Sequence, residues 1–77
     1  MRIMEIEIEK IYPNLRLIYA REVLEDLCRF IREGGVIDPL EVWFDGEGFR
    51  IADGEKRWRA CKILEMTHIK VRIVGFP

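Results

Sequence analysis

Apolar and polar positions along this chain recur with two different periods, and the switches between them mark the elements. Residues 2–8 set Met4, Ile6 and Ile8 against Glu5, Glu7 and Glu9, the period of two that a half-buried strand needs. Pro13-Asn14 ends that strand in a loop. Over residues 21–33 the period lengthens: Ala20, Val23, Leu24, Leu27, Cys28 and Ile31 recur at three and four, and Gly34-Gly35 forms a C-terminal cap. After Asp38-Pro39 the run LEVWF reads as a strand, Asp45-Gly46-Glu47-Gly48 as a hairpin turn and FRIA as the returning strand. A second helix runs from Asp53-Gly54 to Leu64, and HIKVRIV alternates as a final strand. The order β-α-β-β-α-β predicts one small α+β domain over residues 1–77, a mixed sheet carrying two helices. Leu24, Leu27, Cys28, Ile31, Ala60, Cys61 and Leu64 are its expected helix-borne core.

Composition narrows the class. An apolar fraction of 49% supplies a single thin core, near the small end of what folds without staples. The chain has no Ser or Gln, one Asn and one Thr, while Glu, Arg and Ile abound, a profile like that of heat-adapted proteins. Cys28 and Cys61 fall among apolar residues in helical patterns and read as small buried hydrophobes. With a single histidine, His68, there is no four-ligand zinc set, so no metal site is expected. Arg2 leads into alternating Glu and Ile rather than an apolar run, and no stretch reaches membrane-spanning length. The expected compartment is the cytoplasm.

Charge changes the picture more. The net charge of -1 argues against an indiscriminate nucleic-acid coat, but residues 1–53 hold seven basic and twelve acidic side chains, and residues 54–77 six basic and two acidic. The positive potential starts at the second helix, where Lys56, Arg57 and Arg59 crowd the first turns. A helix N-terminus already carries about half a positive charge and favours acids, so these cations cost stability unless an anion sits there. At about 100° per residue the inward stripe of Ala60, Cys61 and Leu64 passes through Arg57 one turn earlier, at the rim of the sheet. Free backbone N–H groups beside a guanidinium fork suit a carboxylate or phosphate. The same residues also allow a structural arrangement: Asp53 as N-cap, Glu55 paired with Arg59, and Arg57 bridged to an acid of the first helix.

The stretch IREGGVIDPLEVWFDGEGFRIADGEKRWRACKILEMTHIKVRIV resembles the N-terminal domain of the ParB/sulfiredoxin superfamily. Its first box, Gly-Val-x-x-Pro-Leu after a helix, is met by Gly35, Val36, Pro39 and Leu40. Its second, Gly-Glu-x-Arg-x-Arg-Ala, is met by Gly54, Glu55, Arg57, Arg59 and Ala60. The resemblance implies a nucleotide-binding fold, with CTP the ligand in ParB proteins and ATP or ADP the alternatives. It implies a phosphate site at Gly54, Glu55, Lys56, Arg57 and Arg59, a wall near base or sugar at Gly35, Val36 and Pro39, and an arginine of the first loop at Arg16.

Departures from the family pattern bear on the expected activity. The sulfiredoxin cysteine of Gly-Cys-His-Arg is Glu55 here, and the histidine of the serine-kinase motif Asp-Gly-x-His-Arg is Lys56. A metal-dependent enzyme of the same superfamily (nuclease, NTPase or small-molecule kinase) is the alternative; Asp53 and Glu55 would be its catalytic candidates and Mg2+ its cofactor. ParB proteins continue into a DNA-reading domain that completes the pocket, so DNA is expected as a partner only through an additional domain or a second protein. A homodimer is a further expectation, and Trp43 and Trp58 are candidate surface anchors, although Trp in so small a domain is more often core.

Overall fold

The computed structural model describes residues 3–13 and 19–75. The elements are β1 (Ile3–Glu7), a single 3-10 turn at Ile8–Lys10, β2 (Ile11–Tyr12), α1 (Arg21–Arg32), β3 (Leu40–Phe44), β4 (Phe49–Asp53), α2 (Glu55–Ile63) and β5 (His68–Ile73). The strands form one mixed sheet in the order β1-β5-β3-β4-β2. β1 pairs antiparallel with β5, and β3 antiparallel with β4; β3 and β5, and β2 and β4, run parallel.

The expected first strand is interrupted. Ile8 continues the alternation in sequence but leaves the ladder, because its N–H donates to Thr67 O at 2.9 Å and the chain turns there. The turn keeps both Ile8 and Ile11 buried and carries Ile11–Tyr12 to the opposite edge of the sheet as β2. A two-residue strand is too short to leave a periodic signal.

Alternation sorts the sheet into two faces. Ile6 stands beside Ile69, Leu40 beside Val71 and Val42 beside Ile51 on the helix-covered face. Glu5 stands beside Lys70, Glu7 beside His68 and Trp43 beside Arg50 on the other. On that second face Glu5 meets Lys70 and Glu41 meets Arg72, opposite charges on neighbouring strands as cross-strand pairing favours. The buried cluster is therefore mostly strand-borne, Ile6, Ile8, Ile11, Leu40, Val42, Ile51, Ile69 and Val71, with Trp58 and Cys61 from α2.

The helix-borne core is smaller than the periodicity predicts. Cys28, Ala60 and Cys61 are buried, whereas Leu24, Leu27, Ile31 and Leu64 are half-buried. α1 has α2 as its main neighbour rather than the sheet, so its stripe meets another helix and not a broad apolar floor. The Cys28 thiol donates to Ala60 O at 3.7 Å across that contact, and burial, then the neighbouring Cys28, pushes the Cys61 thiol above its usual pKa. Of the two readings open to Trp58, core and surface anchor, the structure has the core.

Local chemistry sets the element ends. α1 closes as the two glycines predict: Gly34 takes φ +88°, its N–H donates to Ile31 O at 3.0 Å, and Gly35 N–H donates to Phe30 O at 2.9 Å. This pair of bonds is the Schellman arrangement. The hairpin is fixed by Asp45, whose carboxylate accepts from Glu47 and Gly48 N–H, both at 2.9 Å, and from Arg50 Nε at 2.8 Å. Among the described residues no helix is long and apolar enough to cross a membrane.

Candidate functional site

α2 starts from a conformation only glycine accepts readily. Gly54 is its N-cap at φ 108°, and an added Cβ would lie 2.5 Å from Leu40 Cδ2 and 2.9 Å from Arg57 Nη2. No side chain caps the helix. Trp58 N–H donates to Gly54 O at 3.0 Å and closes the first turn, so the N–H groups ahead of it project from the helix end. The Asp53 cap that the structural arrangement allowed is not formed, and the terminus is uncapped and glycine-led.

The three cations there have different fates. Arg57 Nη1 donates to Asp38 O at 2.8 Å and to Pro39 O at 3.1 Å, and Nη2 donates to Asp53 Oδ2 at 3.1 Å. It bridges to no acid of α1, the partner that a structural reading of the sequence offers; it joins the first box to the second. Arg59 pairs with Glu55 Oε2 at 3.1 Å and lies over the Tyr19 ring at 5.5 Å. That pairing explains how Glu55 can be buried, the one such charged residue among those described. Lys56 is exposed and joins no ion pair among the described residues. Of the three cations it alone is uncommitted.

An open groove of about 480 Å3 runs past this terminus, lined by Tyr19, Val23, Asp53, Gly54, Glu55, Lys56 and Arg57. Gly54, Glu55, Lys56 and Arg57 of the second box therefore line one cavity, whereas Arg59 pairs with Glu55, Ala60 is fully buried, and Val36 and Pro39 of the first box line a separate hollow beside Met4 and Lys70. Of the first box, Val36 is 89% exposed, Gly35 lies under the Phe30 ring, and Pro39 is tied in through its carbonyl. Arg16 lies outside the described residues. Neither Tyr19 nor Val23 is singled out by sequence reasoning. The available signal was the spacing of Tyr19 and Leu24 about Ala20, which fits an apolar pair clasping a helix start. Asp53 and Glu55, the candidate metal or catalytic acids, are each committed to an arginine. No group of three His, Cys, Asp or Glu among the described residues is placed to hold a metal.

Both boxes, joined through one guanidinium at the start of α2, agree with a match to the family model described as the ParB N-terminal domain, over residues 1–77. The chain belongs to the ParB N-terminal domain family. This ParB-family domain is 41% identical over 58 residues to the probable chromosome 1-partitioning protein ParB of Deinococcus radiodurans, covering 75% of the chain and 20% of that protein. The C-terminally truncated chromosome-partitioning protein ParB from Caulobacter crescentus, complexed with CTP-gamma-S, matches with TM-score 0.88 and 29% identity over 100% of this chain and 46% of that one. Sulfiredoxin from Arabidopsis thaliana shares the fold, with TM-score 0.87 at 23% identity over 99% of this chain and 88% of that one. The ParB-family domain thus has the expected superfamily fold, and it spans about a fifth of the curated Deinococcus relative.

Proposed function

We propose that this domain binds a nucleoside triphosphate, CTP foremost, with its phosphates on the N-terminus of α2 and its nucleoside against Val36 and Pro39. The observation that carries the reading is the uncapped α2 terminus opening onto a groove with Lys56 at its mouth. Projecting N–H groups, the positive end of the helix dipole and an uncommitted ammonium favour an anion in the same place. The Caulobacter ParB with CTP-gamma-S supplies the nucleotide class by similarity.

Within that reading the roles divide. Gly54 lets the ligand approach the backbone, Lys56 contributes direct charge, the buried Glu55 and the half-buried Arg59 brace the first turn as a pair, and Gly35 sets the path of the box carrying Val36. Arg16, from the neighbouring loop, is a further candidate for the same ligand. Magnesium would be held chiefly by the triphosphate oxygens and water, as this ion prefers, because Asp53 and Glu55 already have guanidinium partners. For the same reason the enzymatic alternative gains no support from the site. The biological setting is DNA partition or its regulation, with DNA, such as the centromeric site in a second Caulobacter ParB complex, read by a further domain or partner.

The test is calorimetric titration of the domain with CTP, ATP, ADP and GTP, with and without magnesium. Binding of CTP at one site per chain, weakened by rising salt, is the expected result. Absence of heat with every nucleotide, with or without magnesium, would contradict it.

A further inference from the structure

The Arg57 fork is spent on the protein itself. Both terminal nitrogens are engaged, Nη1 by two main-chain carbonyls of the first box and Nη2 by Asp53. The side chain is 20% exposed and packs directly over the Cα of Gly54. The segment it grips, Gly35–Pro39, belongs to no helix or strand and ends in a proline that cannot donate to the sheet. A guanidinium donating to successive carbonyls of such a segment fixes its distance and orientation relative to α2.

We infer that Arg57 is a positioning residue that couples the two halves of the ligand site: it sets the first box against the phosphate-binding helix end and does not itself hold the phosphates. This rests on the nucleotide-binding reading above and assigns the specificity of that site. Arg57 then determines how much the nucleoside adds to binding of the bare phosphate chain, whereas Lys56 determines binding of the phosphate chain itself.

The two roles separate when CTP and inorganic tripolyphosphate are titrated in parallel into wild type, Arg57→Lys and Lys56→Ala. Lysine keeps the charge at 57 but cannot span Asp38, Pro39 and Asp53 at once. Arg57→Lys is expected to weaken CTP about tenfold or more, the scale of one lost charge-assisted contact, and to change tripolyphosphate by less than about threefold. Lys56→Ala should weaken both ligands in parallel. Parallel losses in Arg57→Lys would make Arg57 a phosphate ligand and overturn the inference, and so would unchanged affinity for both.

Backbone relaxation checks the same inference without any ligand. In Arg57→Lys, the order parameters of Val36, Ile37 and Asp38 should fall below the wild-type values while that of Val71 in β5 is unchanged. Unchanged order parameters at those three amides would also overturn it. If wild type binds neither ligand, the nucleotide reading fails and the relaxation result alone decides whether Arg57 positions the segment. Should Arg57→Lys not fold, Asp53→Ala removes one of the three bonds and must lower the same order parameters by a smaller amount.

Discussion

Asp53 Oδ2 lies 3.1 Å from Arg57 Nη2, one helical turn away across the start of α2, and this pairing takes Asp53 away from the cap. It also reverses the stability effect expected of Arg57. From the sequence, Arg57 faces a like-signed helix terminus and its removal should be neutral or stabilising. In the structure its guanidinium satisfies two carbonyls and a carboxylate, so Arg57→Ala should destabilise the ligand-free domain by roughly 1.5–3 kcal/mol. Asp53→Asn should cost less than about 1 kcal/mol, since the carboxylate is 70% exposed. Urea denaturation of the three proteins measures both; an Arg57→Ala variant as stable as wild type would show that the bridge holds nothing together.

Lys56 carries the opposite expectation. It has no ion-pair partner among the described residues and sits in the first turn of α2, so Lys56→Ala should leave stability unchanged or slightly raised. CTP binding should weaken by one to two orders of magnitude, from the loss of about 1.5–3 kcal/mol of charged contact. Thermal melts with and without CTP read both effects, and equal CTP-induced shifts in variant and wild type would contradict this role.

Two helix ends, the far end of α2 and the start of α1 beside the site, offer stabilising changes. α2 closes with Glu65 at φ 57°, its N–H donating to Lys62 O and Met66 N–H to Cys61 O, a glycine's position filled by glutamate. Glu65→Gly should stabilise by about 0.5–1 kcal/mol, the left-handed strain relieved less the backbone entropy glycine gives up. α1 begins at Ala20, extended and without a side-chain cap; Ala20→Ser should add about 1 kcal/mol. Melting temperatures that fall in either variant would show that these ends are not held as described.

Acid should loosen the β3–β4 hairpin first. Backbone N–H groups of Gly48 and Glu47, then Arg50, lower the Asp45 pKa from its usual 3.8 to about 2. A depressed carboxyl pKa stabilises the fold above the unfolded-state value, and that contribution is lost as pH falls through the folded one. Wild type should therefore lose stability between about pH 4 and pH 2, and Asp45→Asn should lose less over that window while starting lower at neutral pH. Parallel pH profiles of the two denaturation midpoints would count against it.

How much of the molecule was legible in the sequence depends on how local each feature is. The glycine cap after α1, the Asp45 turn and the alternation of β3 to β5 depend on near neighbours, and all appear where they were expected. The second box reads correctly as the start of α2 because Gly54 and its basic residues act within a single turn. The 3-10 turn at Ile8 depends on Thr67 O, and the Arg57 bridge depends on carbonyls eighteen and nineteen residues away. Neither partner has a periodic or compositional signature. Tyr19 escaped for a related reason: its contact with Arg59 exists only once α1 and α2 pack together.

Nucleotide binding at the start of α2 is tested most directly by amide chemical-shift mapping as CTP is titrated into the isotopically labelled domain. The largest changes should fall on Gly54, Glu55, Lys56 and Arg57, with Val36 and Ile37 next in size. Changes centred instead on the cavity at the far end of α2, lined by Glu7, Glu9, Lys62 and His68, or no saturable change at all, would contradict it.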